Sequence, residues 1–199
     1  EDTGRQATVG FLTFRILKTL FHGVEVYLLE PALSPAARQL LRSMGVGEEP
    51  FFQKGYQADD PILEAAVFSR AAVDAMVAGG LEPDVVASHD WQTALVPLIL
   101  KRVAAQRFLR TASVFTIHNL GYQGIFPSGR FSILAGLGIP PQELSPMGSL
   151  EFWGQGNLMK AGFVHADKVT TVSPTYHDET LTETGGYGLN GILVGRGAD

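Results

Sequence analysis

The sequence predicts an α/β fold whose parallel strands are joined by right-handed helical crossovers, and three observations carry that prediction. From residue 84 onward, strand-like and helix-like stretches alternate: 84–88, 91–105 and 111–117. The apolar run Ala112-Ser113-Val114-Phe115 ends in Thr116-Ile117-His118-Asn119 and then the Gly-rich turn Leu120-Gly121-Tyr122-Gln123-Gly124. Asp84-Val85-Val86-Ala87-Ser88 likewise runs into His89-Asp90-Trp91-Gln92. Open α/β sheets bind ligands at the carboxyl ends of their strands. Two such junctions, one strand–helix–strand unit apart, put Asp90 and His118 side by side on one rim.

The elements follow in order. Residues 8–30 form a β-hairpin: Leu12, Phe14 and Ile16 alternate with Thr13 and Arg15, and Val24, Val26 and Leu28 with Glu25 and Tyr27, around a His22-Gly23 turn. Residues 34–44 suit a short helix, and 45–57, rich in Gly and acidic residues, a loop. Asp60-Pro61 starts a helix, with Asp as N-cap and Pro at the first position, and Gly79-Gly80 stops it. Arg70 and Asp74 stand at ion-pair spacing on it. Residues 91–105 form the next helix, with a kink or lost hydrogen bond at Pro97. After a loop holding Pro140-Pro141 and Pro146, residues 152–165 predict a helix and 168–172 a strand. Ser173-Pro174 caps a last helix. With no internal repeat or linker, the chain is expected to be one domain.

Bulk properties exclude several classes. The 199 residues are enough to bury roughly 70% of the unfolded surface. With 45% hydrophobic and 18% charged residues the composition is that of a globular protein. A net charge of −5 without a Lys/Arg cluster argues against nucleic acid. A neutral polymer would place no demand on that charge. The absence of cysteine excludes disulfides and thiolate chemistry. No stretch approaches the ~20 apolar residues of a membrane span, and no signal peptide is visible. The start at Glu1-Asp2-Thr3 suggests a piece of a longer protein.

Five ordered motifs resemble the bacterial-type glycogen and starch synthases. They are His89-Asp90-Trp91-Gln92-Thr93-Ala94-Leu95, residues 115–124 from Phe115 to Gly124, Leu158-Met159-Lys160-Ala161-Gly162, residues 166–176 from Ala166 to Tyr176, and Gly186-Tyr187-Gly188-Leu189-Asn190-Gly191. The resemblance is close from about Pro83 onward and faint over 33–57. It implies a doubly wound, Rossmann-like domain, the first half of a two-domain GT-B glycosyltransferase. Residues 1–199 would be a partial N-terminal, acceptor-side catalytic domain, without the family's N-terminal strand, its Lys-Thr-Gly-Gly-Leu loop or its C-terminal nucleotide-binding domain. The implied reaction moves glucose from ADP-glucose to the non-reducing end of an α-1,4-glucan with retention, and this portion alone is expected to be inactive. Glycogen, starch or a maltooligosaccharide would be the acceptor, with no cofactor or metal. The setting would be bacterial cytoplasm or plastid, with no membrane partner.

The resemblance also weighs individual residues. By composition Asp90 is a helix N-cap on the Thr93 amide; the family keeps an acid there near the transferred glucose. His118 matches a family histidine lying against the sugar, so Asp90 and His118 are the expected catalytic pair. Asn119, Gln92, Trp91, Tyr122 and Lys160 are expected to bind substrate, the two aromatics by stacking and Lys160 as an acceptor or structural contact. His89 fits better as a locally satisfied rim histidine. The chain departs from the family at Ala87-Ser88, where a histidine is frequent, and at Asp59-Asp60-Pro61-Ile62, where basic residues are usual.

Two patterns carry nothing. Gly186-x-Gly188-x-x-Gly191 copies a dinucleotide fingerprint, but a helix rather than a strand is expected before it. The histidines at 22, 89, 118, 165 and 177 show no metal-ligand spacing. Competing readings are a glucan-binding module without transfer activity, a glycosyltransferase using another nucleotide sugar, and an unrelated hydrolase or reductase half. The last lacks a nucleophile elbow or phosphate loop.

Overall fold

The computed structural model describes residues 1–46 and 58–197. Residues 47–57 of the expected loop lie outside the described residues. The chain divides into two compact units, Glu1–Leu81 and Glu82–Asp199, where the sequence suggested one domain.

In the first unit, β1 (Asp2–Val9), β2 (Leu12–Phe21) and β3 (Val24–Pro31) form an antiparallel sheet in that order. The β2–β3 hairpin has the expected turn. His22 and Gly23 both take positive φ, 48° and 82°, the backbone that a two-residue hairpin needs. Strand β1 extends the expected hairpin into a three-stranded sheet. Its only buried side chains are Ala7 and Val9, and its register shifts between Asp2 and Arg5, so it shows little alternation. Helix α1 (Pro35–Ser43) is capped by the Ser34 side chain. Helix α2 (Pro61–Gly79) begins as expected: Asp60 accepts from the Leu63 amide at 3.0 Å and Pro61 fills the first turn. It ends on Gly80 at φ 67°. Arg70 and Asp74 pair at 2.8 Å. Ala75 of α2 packs with Ala7 and Ile16 of the sheet.

In the second unit, β4 (Val85–His89) pairs in parallel with β5 (Ala112–Ile117). The expected helix between them is broken: a short 3-10 turn at Trp91–Thr93, α3 (Leu95–Leu98), then a π-helical turn at Ile99–Val103. Pro97 has no amide to return to Thr93. The widened turn is closed by Ala104 donating to Ile99 at 2.8 Å.

Strand β6 (Ile125–Pro127) and helices α4 (Phe131–Gly136) and α5 (Pro141–Leu144) follow. The helix expected over 152–165 is corrected. Residues Glu151–Phe152 (β7) and Gln155–Asn157 (β8) form a tight hairpin that pairs with β6, and only Leu158–His165 is helical (α6). Gly156 explains the change, because the Phe126 ring occupies the place of its missing side chain. Asn157 then caps α6 through the Lys160 amide.

Helix α6 lies on β5, with Phe163 meeting Phe115 edge-on at 5.7 Å. Strand β9 (Lys168–Thr171) completes the parallel sheet in the order β4-β5-β9. Ser173 caps α7 (Pro174–Thr180) as expected, but α7 is not the last helix. Helix α8 (Asn190–Arg196) follows, and its Arg196 guanidinium donates to the carbonyls of Phe163, Ala166 and Asp167 at the end of α6. No strand directly precedes Gly186, as anticipated.

Candidate functional site

The site grows from the register of β4 and β5. His89 stands opposite Thr116, so the chain leaves both strands at the same carboxyl edge. The next residue, Asp90, has φ 55° and ψ 179°, a region kept almost entirely by glycine. Such backbone costs about 1–3 kcal/mol and persists only where its surroundings impose it. Here the imposing groups are visible. The Asp90 amide donates to the Thr116 carbonyl at 3.0 Å, and Oδ1 accepts the amides of His118 at 2.8 Å and Asn119 at 3.3 Å. The expected cap on Thr93 is therefore corrected. The Thr93 amide goes to the Asp90 carbonyl, while the Asp90 carboxylate is committed to the neighbouring strand end.

The turn after β5 can be accounted for amide by amide. His118 and Asn119 donate to Asp90. Leu120 donates to the Tyr176 hydroxyl at 2.7 Å, Gly121 to the Asn119 side chain at 2.9 Å, and Tyr122 to the Asn119 carbonyl. Five successive donors are thus met inside the protein. This fixes the turn and leaves the His118 side chain exposed on a rigid base.

His118 Nε2 lies 3.1 Å from His89 Nδ1. One of these nitrogens donates and the other accepts, so each ring sets the other's tautomer. His89, read from the sequence as a locally satisfied rim histidine, finds its partner in the His118 ring and orients it.

The other expected residues separate. Gln92 is half-buried on the short turn after Asp90. Tyr122 is 62% exposed. Trp91 is a correction: it is only 7% exposed and lies against Gly124, so no indole face is open for stacking. Lys160 proves structural. Its ammonium donates to the Gly148 and Glu151 carbonyls, and burial pushes its pKa down.

Three features escaped the sequence reading. Tyr176 reaches from α7 to hold Leu120, although by composition its motif reads mostly as a helix cap. Gln123 is buried and bridges the Asn157 amide at 2.6 Å to the Tyr187 carbonyl at 3.2 Å. Glu143, Ser149 and His165 form a buried polar cluster, with Ser149 and His165 on Glu143 Oε2 and Arg102 on Oε1. A Gln in a Gly-rich turn and an Asn before a helix were the available signals for the second. Nothing in spacing announced the third.

Among the described residues no group of three His, Asp or Glu side chains is placed to hold a metal ion. Nor is any helix of the described residues long and apolar enough to cross a membrane.

Comparison with known proteins gives a consistent picture. The family described as the starch synthase catalytic domain matches residues 2–195. Glycogen synthase of Aquifex aeolicus is 48% identical over 139 residues, 70% of this chain and 28% of that protein. Glycogen synthase 2 of Geobacter sulfurreducens is 48% identical over 177 residues, 80% of this chain and 36% of that protein. The solved catalytic domain of starch synthase IV from Arabidopsis thaliana, bound to ADP and acarbose, superposes with a TM-score of 0.75 at 28% identity. It covers 98% of this chain and 38% of that one. The chain thus spans roughly a third of the length of the relatives it matches.

Proposed function

The chain belongs to the starch synthase catalytic domain family, and from that premise we propose that it is the N-terminal, acceptor-side part of an ADP-glucose-dependent glucan synthase. In this reading it is the doubly wound, Rossmann-like half of a two-domain GT-B enzyme, at work in bacterial cytoplasm or a plastid. The complete enzyme breaks the bond between the anomeric carbon of glucose and the ADP oxygen. It forms a bond from that carbon to the terminal 4-hydroxyl of an α-1,4-glucan on the same face. The hydroxyl proton passes to the departing phosphate.

The observation that supports this most is the Asp90 carboxylate gripping the His118 and Asn119 amides. An oxocarbenium-like transition state needs fixed groups around a developing positive charge. Asp90 places a negative charge on a rigid rim, and His118, oriented by His89, positions the sugar ring. Asn119, Gln92 and Tyr122 line the approach.

His118→Ala in the complete enzyme is expected to lower turnover at least about a hundredfold. Stability should change by less than about 0.5 kcal/mol, because the side chain is exposed. Normal turnover would sink the assignment. A transferase using another nucleotide sugar is the second reading, favoured by the fact that the chain covers only 28% to 36% of those relatives. Assaying the complete enzyme with a panel of nucleotide sugars separates the two.

A further inference from the structure

Two exposed aromatic rings lie along a series of contacts that leads away from the His118–Asn119 turn. The Tyr187 ring lies against Gly121, with Cζ 3.9 Å from the place a Cβ would occupy. The next residue, Gly188, rests on Phe152, whose Cζ is 3.1 Å from the corresponding position. The Phe152 ring in turn meets Trp153 at 6.5 Å between centroids. Tyr187 is 59% exposed and Trp153 is 84% exposed. Both stand on left-handed backbone, φ 47° and 52°, which a bulky residue adopts only under constraint. The Gln123 amide supplies that constraint for Tyr187, and the tight β7–β8 turn supplies it for Trp153. Each ring keeps one neighbour in this series, Gly121 for Tyr187 and Phe152 for Trp153, and remains more than half exposed. Large exposed aromatic rings held outward by constrained backbone offer a candidate binding surface.

We infer that Tyr187 and Trp153 form a track for the acceptor chain, holding successive glucose units of an α-glucan as it leaves the His118 turn. The assignment of the occupant rests on the proposed function and on the continuity of the track with that turn. Tyr187, Gly188, Phe152 and Trp153 carry no charge, which suits a neutral polymer. The C–H faces of glucose pack against the electron-rich faces of aromatic rings, while the hydroxyls remain in water.

The chain contains two tryptophans, and the other, Trp91, is buried and out of reach of iodide, so the iodide-quenchable emission reports Trp153. Titration with maltohexaose is expected to shift this emission saturably and to shield it from iodide. Trp153→Phe should abolish the response, and Tyr187→Ala should raise the half-saturating concentration about tenfold. In the complete enzyme, Trp153→Ala should raise KM for maltohexaose by a similar factor, with KM for maltose and for ADP-glucose unchanged. An unshifted Trp153 in a folded chain, or equal KM changes for long and short acceptors, overturns the track. His118→Ala should leave the emission response intact. A saturable response in the native chain alongside a wild-type complete enzyme that transfers no glucose from any nucleotide sugar would overturn the proposed function and leave the track standing.

Discussion

Asp90 Oδ1 accepts two consecutive backbone amides, those of His118 and Asn119, from a residue that itself occupies glycine-type backbone at φ 55°. The strain and the hydrogen bonds oppose one another, so substitutions separate them. Asp90→Ala loses both bonds and keeps the strain, whereas Asp90→Gly loses the bonds and relieves it. The Gly variant is expected to be more stable than the Ala variant by about 1 kcal/mol, the reverse of the ordinary order. Urea denaturation of the two measures this, and an Ala variant equal to or above Gly would contradict the backbone account.

Tyr176→Phe removes the acceptor of the Leu120 amide and leaves a buried donor unmet. A cost of about 1–3 kcal/mol follows. Hydrogen exchange should show the Leu120 amide opening faster, while the amides of His118 and Asn119 keep their protection through Asp90. Uniform exchange across residues 118–122 in both proteins would show that the phenol has no hold on the turn.

Gly162→Ala tests the packing of α6 on β5. The added methyl would stand 2.8 Å from the Phe115 ring. Helix propensity alone favours alanine by about 1 kcal/mol, yet overpacking is expected to dominate and destabilise by about 1–3 kcal/mol. Thermal unfolding gives the sign directly. A rise in Tm would mean that Phe115 yields freely.

Acid should weaken the second unit through the Glu143–His165 cluster. Burial holds the His165 pKa below its ordinary 6.5, outweighing the attraction of Glu143. Stability from this group is therefore complete above 6.5 and declines as pH falls below it. For Glu143, burial pushes the carboxyl up, but Ser149, His165 and Arg102 together hold it below its ordinary 4.5. Its contribution is present above 4.5 and is lost as pH falls through the lowered value. Both effects run in one direction. Denaturation midpoints measured from pH 7 to pH 4 should fall in the native chain and fall less steeply in His165→Phe. Parallel slopes would remove the cluster from the explanation.

The legible parts of the fold were those with a local chemical signature. Asp60-Pro61 and Ser173-Pro174 marked helix starts because a cap and a proline act within one turn. The β4–β5 pair was legible from two apolar runs ending in polar residues, and so was the meeting of Asp90 with His118. What escaped had its cause outside the local window. Strand β1 is half polar and depends on its partner for register. The hairpin at Trp153-Gly154 lacks the Asn-Gly signal such turns usually carry, and the pattern after Phe152 resembles a helix until Phe126 is placed over Gly156. The burial of Trp91 against Gly124 and the reach of Tyr176 to Leu120 are tertiary facts with no sequence period.

The satisfied amides from His118 to Tyr122 have a consequence for the division of labour in the site. Glycine-rich turns at strand ends often serve as anion nests, because consecutive N–H groups converge on a phosphate. This one has already given all five of those donors to its own protein. It has no backbone N–H from these five residues to offer a phosphate. Under the proposed function, a phosphate would have to be met by groups other than these five amides.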